Sequence, residues 1–454
     1  MKSLKFLGIV ISLFTYTLSI SCNKYLDKKN SNAITVPSTL ADLQGLLDDG
    51  LVMNEDITPA MGEASCTDYF FEQDRYDDAS TFNQQLYRWQ VGDYFYANDW
   101  SKGYGPIYNA NYCLEMLDKI ALNATNEKAW KNVKGSALFF RAFNFLNLVW
   151  QYGKAYDEST SEADLGIVLR ITSDFNVPSI RSNVKACYER IIIDAKEAAT
   201  LLEDLPQHFY RPSKAAALGL LARAYWSMRD YSNALLYADS CLSIKSALLN
   251  YATDINASNT RPFQNIATNK EIIFYTEMNR SISSMRVGNI DTTLYESYAE
   301  SDLRKTAFFR PRSPYFVYKG TYTGSTTTFF SGIATDEIYL IKAECEARLG
   351  NKDKALDALN TLLSNRWKDD GTWIPIEASD ADEALEIVLL ERRKELLFRG
   401  LRWIDIKRLN KENRNITLER IVNGQSVILQ PNSGYYALPL PKDIIDLTGI
   451  QQNN

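Results

Sequence analysis

The stretch ERRKELLFRGLRWIDIKRL, Glu391 to Leu409, holds seven Arg or Lys among nineteen residues, with aromatics at Phe398 and Trp403. Such a strip is either a surface for a polyanion or a helix that braces the protein. On a helix, Leu390, Leu397, Leu401 and Ile404 recur at steps of seven, four and three and form one apolar stripe. Glu395 and Arg399 stand i,i+4 with the acid first, and Arg402 with Asp405, then Asp405 with Arg408, stand i,i+3. Arg399 precedes Trp403 by four, the spacing for a guanidinium stacked on an indole. A phosphate-binding face would leave its arginines unpaired. The spacing therefore predicts one continuous structural helix whose cations are matched by acids and aromatics within the helix itself.

The rest of the chain supports a scaffold rather than a polyanion binder. It has 454 residues, 45% apolar and 23% charged, with a formal net charge of −6, which argues against a dedicated nucleic-acid binder. Tyr is abundant at 27, beside 20 Phe and 8 Trp, more aromatics than a helical core needs. His208 is the one histidine, so a multi-histidine metal site is excluded and any Ser-His-Asp or Cys-His mechanism would depend on it. Cys66, Cys113, Cys187, Cys241 and Cys345 are far apart with no CxxC pair, the pattern of buried free thiols rather than of zinc or disulfides.

At the N-terminus, Lys2 and Lys5 precede the uncharged run FLGIVISLFTYTLSIS, which ends at Cys22. As a helix, Phe6 to Ile20 would be about 22 Å long, too short to cross a ~30 Å hydrocarbon core. Charged start, apolar middle and small-residue end make residues 1–21 an export signal. Leu18 lies four before Cys22 and Ser21 directly before it, a layout like a bacterial lipobox, so Cys22 is expected to carry the lipid anchor. Cleavage near Ser21 to a soluble secreted product is the alternative.

Residues 40–53 look helical. Residues 54–99 then lose helical periodicity in EASCTDYFFEQDRYDD and RWQVGDYFYANDW, where polar and aromatic residues mix. Amphipathic helix pairs resume at Trp100. The twelve-residue step from Ala222 to Ala234 equals that from Ala343 to Ala355, the tetratricopeptide (TPR) spacing, with Gly350 at one turn and Arg229 at the other. Between these pairs, residues 247–333 lack helical order and hold Tyr295, Tyr298, Tyr315, Phe316, Tyr318 and Tyr322, and an insertion this long is expected to be functional. The organisation expected is a signal over 1–21, an N-terminal region over 22–245 with the first helix pairs, and a C-terminal region over 246–454 with the insertion and the last pairs.

The strip also resembles the C-terminal helix of the SusD/RagB family, ERR-x-E-x-x-F-E-G-x-R-x-x-D-x-x-R. Glu391, Arg392, Arg393, Glu395, Phe398, Gly400, Arg402, Asp405 and Arg408 match it, and Arg399 departs where a glutamate is usual. Trp100, Tyr104, Ile107 and Asn111 are similar to the family's W-x3-Y-x2-I-x3-N helix. RPSKAAALGLLARAY is similar to its central TPR helix, YYALPLPKDIIDL followed by QQNN to its closing segment, and CNKYLD to its mature start. The resemblance implies a mostly α fold, four TPR-like helix pairs with long loop-rich insertions. It also implies a lipid-anchored outer-membrane protein facing the cell exterior. Such a protein captures an oligosaccharide, or in some members a peptide, and passes it to a SusC-type TonB-dependent transporter without catalysis, cofactor or metal.

Within that frame the two irregular segments are expected to build the ligand surface, neutral sugar rings stacking on aromatics and bonding to Asp, Asn and Arg. The candidates are Asp68, Tyr69, Tyr94, Tyr96 and Asn98 from the first segment, and Tyr295, Tyr298 and Tyr315 from the second. Two other readings compete. Carboxylate pairs such as Asp68 with Glu72, or Asp77 with Asp78, could act as acid and base in a glycoside-acting enzyme. An intracellular TPR adaptor gripping a protein partner would conflict with the signal and Cys22.

Overall fold

The computed structural model describes residues 37–453, so the export signal and Cys22 lie outside the described residues. Eight helices pack each on the next, with α8 also packing on α6, the content of four pairs: α1 (Asp99–Leu117), α2 (Glu127–Tyr152), α3 (Val184–Leu201), α4 (Lys214–Met228), α5 (Tyr231–Ile244), α6 (Thr335–Arg348), α7 (Lys352–Ser364) and α8 (Ala381–Glu395). Local sequence sets their starts. Asn98, Asn183, Ser213, Asp230 and Asp380 each accept a backbone N–H with the side chain, capping α1, α3, α4, α5 and α8.

Ala222 on Ala234's helix partner, and Ala343 opposite Ala355's helix, sit where α4 meets α5 and α6 meets α7; all four alanines are fully buried. Their small size lets the helices approach closely, as the twelve-residue step predicts. Gly350 takes φ +80 at the α6–α7 turn, and Arg229 takes φ +66 at the α4–α5 turn. A left-handed residue is thus needed at both, and the arginine adopts it at a conformational cost that glycine avoids.

α5 packs directly on α6 although residues 245–334 intervene. The excursion closes at its base through an antiparallel pair, Ile272–Phe274 with Ile333–Ala334. Gly332 is required there, because a Cβ would come within 2.0 Å of the Phe274 carbonyl. Phe274 meets Phe139, Phe140 and Phe143 of α2 edge-on, with centroids 4.6, 5.7 and 5.2 Å away. Both segments expected to lack helices contain short ones, including Met61–Ser65, Gln73–Asp77 and Thr81–Tyr87 in the first and Thr292–Glu296 and Leu303–Phe308 in the second. One or two turns leave no periodicity to detect.

The expected single helix at the charged strip is corrected. α8 stops at Glu395, Phe398 and Gly400 take φ +55 and +79, and α9 (Arg402–Lys411) begins anew. Leu390 is therefore exposed while Leu397, Leu401 and Ile404 are buried. The pairing within one helix fails for the same reason. Glu395 accepts from Arg304 and Arg366, Arg399 reaches Asp336 at 3.1 Å, and Trp403 packs on Tyr436. Asp405 with Arg408, at 2.8 Å, forms as the spacing predicts.

The cations nonetheless turn inside the molecule, where most meet partners from distant parts of the chain as well as Asp405 and Glu391 of the strip. Arg392 and Arg408 sandwich Trp226 at 4.0 and 3.9 Å, and the indole N–H donates to Glu344 at 2.9 Å. Burial would raise the Glu344 pKa, but Arg408 and Arg348 pull it down to about 2. Arg399 lies over Tyr322 and Phe330 at 4.7 and 4.5 Å. Lys407 donates to the carbonyls of Trp150 and Gly153, each at 2.6 Å, and burial pushes its pKa down to about 7. The five cysteines Cys66, Cys113, Cys187, Cys241 and Cys345 are buried free thiols. Among the described residues no helix is long and apolar enough to cross a membrane.

Candidate functional site

The two irregular segments meet in a short antiparallel pair, Tyr69–Phe70 with Asn289–Ile290. Directly opposite residues share a face. Tyr69 and Ile290 turn into the core at 1% exposure, so Phe70 and Asn289 turn the other way. The Asp291 N–H donates to the Asp68 carbonyl at 3.0 Å. Arg393, from the second position of the charged strip's arginine pair, reaches Asp68 at 2.7 Å and Asp291 at 3.0 Å. One guanidinium on α8 therefore fastens both segments to the array.

A hairpin, Phe309–Arg312 with Tyr315–Tyr318, lies over this junction. Its register sets Arg312 opposite Tyr315 and Arg310 opposite Val317, so these four share one face. Phe70 and Tyr315, both half-buried, meet edge to face at 5.0 Å. Arg312 donates Nε–H to Asn289 Oδ1 at 2.9 Å and Nη1–H to the Val287 carbonyl at 2.8 Å. Asn289 in turn donates to Glu72 at 3.3 Å. On the other face Phe316 stacks on Tyr295 with centroids 3.7 Å apart, and Lys305 sits over the Tyr295 ring at 5.2 Å. The result is a partly exposed aromatic strip flanked by guanidinium and carboxylate groups, with Asn289 buried at 2% exposure beneath them, a mixture that suits a polyhydroxylated ring.

Of the sequence candidates, Tyr295 and Tyr315 come together here, on opposite faces of the hairpin. Five others lie inside, where no ligand reaches their side chains without rearrangement. Tyr69, Tyr94 and Tyr298 each donate a phenol proton at 2.7 Å, to the carbonyls of Ala64, Pro439 and Lys394. Asn98 is the α1 cap, and Asp68 is held by Arg393. Asp68 is thus an ion-pair partner rather than half of an acid–base pair with Glu72, while Asp77 and Asp78 are exposed. Beneath Asp68, burial and then the Asp68 charge raise the buried Glu63 pKa to about 8.

Tyr96 stands apart, 79% exposed, its N–H donating to Asp443 at 3.1 Å. Close by is a cleft of about 230 Å³ lined by Trp100, Tyr104, Tyr108, Phe175 and Ile444, in which Tyr108 and Phe175 stack at 5.5 Å. Sequence reasoning missed Phe70, Arg310, Arg312 and Asn289. The alternation FRPR, then YFVY after a Ser-Pro turn, was the available signal for the hairpin.

Two family models match the chain: one described as "Starch-binding associating with outer membrane" over residues 24–226, and one described as "SusD family" over residues 250–446. A curated relative, SusD-like protein P2 of Formosa agariphila, is 24% identical over 421 residues, 78% of this chain and 79% of the relative. A putative sugar binding protein of Bacteroides vulgatus superposes with TM-score 0.73 at 23% identity, over 92% of this chain and 99% of that one. A SusD superfamily protein of Bacteroides thetaiotaomicron gives TM-score 0.74 at 19% identity, over 92% and 100%. A SusD-like carbohydrate binding protein of Bacteroides vulgatus gives 0.67 at 18%, over 91% and 97%.

Proposed function

The chain belongs to the SusD family, and on that premise we propose that it is a non-catalytic, lipid-anchored nutrient-binding protein of the outer membrane. It captures an oligosaccharide on the junction of its two irregular segments and delivers it to a SusC-type TonB-dependent transporter. Its acylated Cys22 holds it at the membrane with the binding face outward.

The observation that carries this reading is the strand pair of Phe70 with Asn289, overlaid by Tyr315 and Arg312. Two segments distant in sequence converge there on one half-exposed aromatic surface, fixed to a rigid helical array. Ring stacking orients a sugar, and the flanking Arg312 and Glu72 offer a donor and an acceptor for hydroxyls, held in place by the buried Asn289 between them. The buried acid of the junction, Asp68, is committed to Arg393, which supports a structural role for its carboxylate. Similarity to proteins named as sugar and carbohydrate binding favours a glycan over a peptide.

A glycan and peptide array with residues 23–454 identifies the ligand, and the double variant Phe70→Ala/Tyr315→Ala tests the site. Two ring contacts worth about 0.5–1.5 kcal/mol each imply a loss of roughly 5- to 150-fold in affinity. Unchanged affinity, with the fold intact, rejects this face as the site.

A further inference from the structure

We infer that this face selects an anionic oligosaccharide, one carrying carboxylate or sulfate groups, through Arg75, Arg310 and Arg312. The inference rests on the reading that the Phe70–Tyr315 face binds glycan and adds the class of glycan.

Some arginines of this protein, such as Arg181, Arg229 and Arg420, bond to neutral oxygens, but most of the buried ones around the charged strip meet acids. Arg304, Arg366, Arg393, Arg399 and Arg408 are each neutralised by carboxylates within 3.1 Å. Around the hairpin the pattern reverses. Arg312 bonds to an amide oxygen and a carbonyl, both neutral, and neither Arg310 nor Arg75 has an ion pair among the described residues. Both are exposed: Arg310 on the Arg312 face of the hairpin, Arg75 on the short helix just after Phe70. Arg310 and Arg312 stand two apart on one face of the hairpin, and Arg75 lies close enough to Arg312 for its charge to act there. Burial and then the charges of Arg75 and Arg310 lower the Arg312 pKa, with Glu72 opposing. Lys319, at the end of the hairpin, is likewise lowered by burial and by Arg310, and its ammonium bonds only to the carbonyls of Ala257 and Asn259.

Repulsion among cations is maintained here although the whole chain is acidic, at −6. Among the described residues no carboxylate lies within ion-pair distance of the three guanidiniums, and Glu72 reaches the group only through Asn289. A bound anion can balance them. The guanidinium fork bonds a carboxylate or sulfate in two places, while Phe70 and Tyr315 hold the ring that carries it. A neutral glycan would leave the repulsion standing.

The test compares charged oligosaccharides with neutral versions of the same backbone: tetragalacturonate against its methyl ester, and a sulfated galactan tetramer against its desulfated form. At least one charged member is expected to bind about tenfold or more tighter than its neutral counterpart, with the advantage shrinking as NaCl rises. The galacturonate and galactan pairs distinguish carboxylate from sulfate recognition. Arg75→Gln/Arg310→Gln, both at exposed sites, is expected to abolish the advantage with thermal stability unchanged. Equal affinities within both pairs, or an advantage that survives the double variant, overturns the inference. If neutral glycans bind and Phe70→Ala/Tyr315→Ala removes that binding, the site reading stands without it. Binding of peptides alone, or of no probe, rejects both.

Discussion

Replacing Arg304 with Met is expected to lower the free energy of unfolding by about 3–5 kcal/mol. The guanidinium is fully buried and donates to Asp302 at 2.7 Å, Glu391 at 2.6 Å and Glu395 at 3.0 Å. Methionine fills much of the volume but leaves three carboxylates in a dry site. Arg366, at 2.8 Å, still serves Glu395, and Lys394, at 2.6 Å, still serves Glu391, but Asp302 keeps only the backbone N–H of residue 304 at 3.0 Å and Lys394 at 3.8 Å. The loss spreads through shared partners. Arg366 also binds Glu271, whose pKa is already raised by burial and by the neighbouring acids Asp336 and Glu395, against the pull of Arg366. Denaturant titration of the variant beside Arg304→Lys, which keeps a charge but not the fork, separates geometry from charge. A change below about 1 kcal/mol would mean the cluster contributes nothing beyond filling space.

Trp226→Ala is expected to cost a similar 3–5 kcal/mol. The indole is fully buried, and its removal opens a cavity between two guanidiniums. Arg392 and Arg408 each lose a ring face, and Glu344 loses the indole N–H. Trp226→Phe retains a ring between the arginines without that donor and is expected to cost clearly less. If Phe and Ala are equally damaging, the hydrogen bond to Glu344 and not the stacked geometry dominates.

Much of the array was legible in the sequence because its forces are local and periodic. Ala222, Ala234, Ala343 and Ala355 recur at one step, since close helix approach tolerates only small residues there. The inward role of the charged strip was also legible, but its partners were not. Periodicity alone ran α8 into α9, and the stripe Leu390–Leu397–Leu401–Ile404 fits a helix that the left-handed Phe398 and Gly400 interrupt. Gly400 was the warning sign, a residue that favours a left-handed break. Arg304, Arg366 and Asp336 come from distant stretches that no spacing rule connects to the strip.

The candidate site was legible as two regions and not as residues. A tyrosine in a polar stretch looks available for ligand, yet Tyr69, Tyr94 and Tyr298 are buried by one hydrogen bond each to a carbonyl that only folding brings near. Phe70 and Tyr315 face each other because two strands of different segments register, information that a single chain read in order does not carry.

Hydrogen exchange on Arg393→Met tests most directly whether the charged strip fixes the ligand-bearing segments to the array. Amides of the junction, Asp291 above all, are expected to exchange at least about tenfold faster as local opening becomes easier, while α4 through α7 keep wild-type protection. Unchanged protection at residues 68–71 and 288–291 would show that the strip's arginine does not hold these segments and that the binding face is organised by something else.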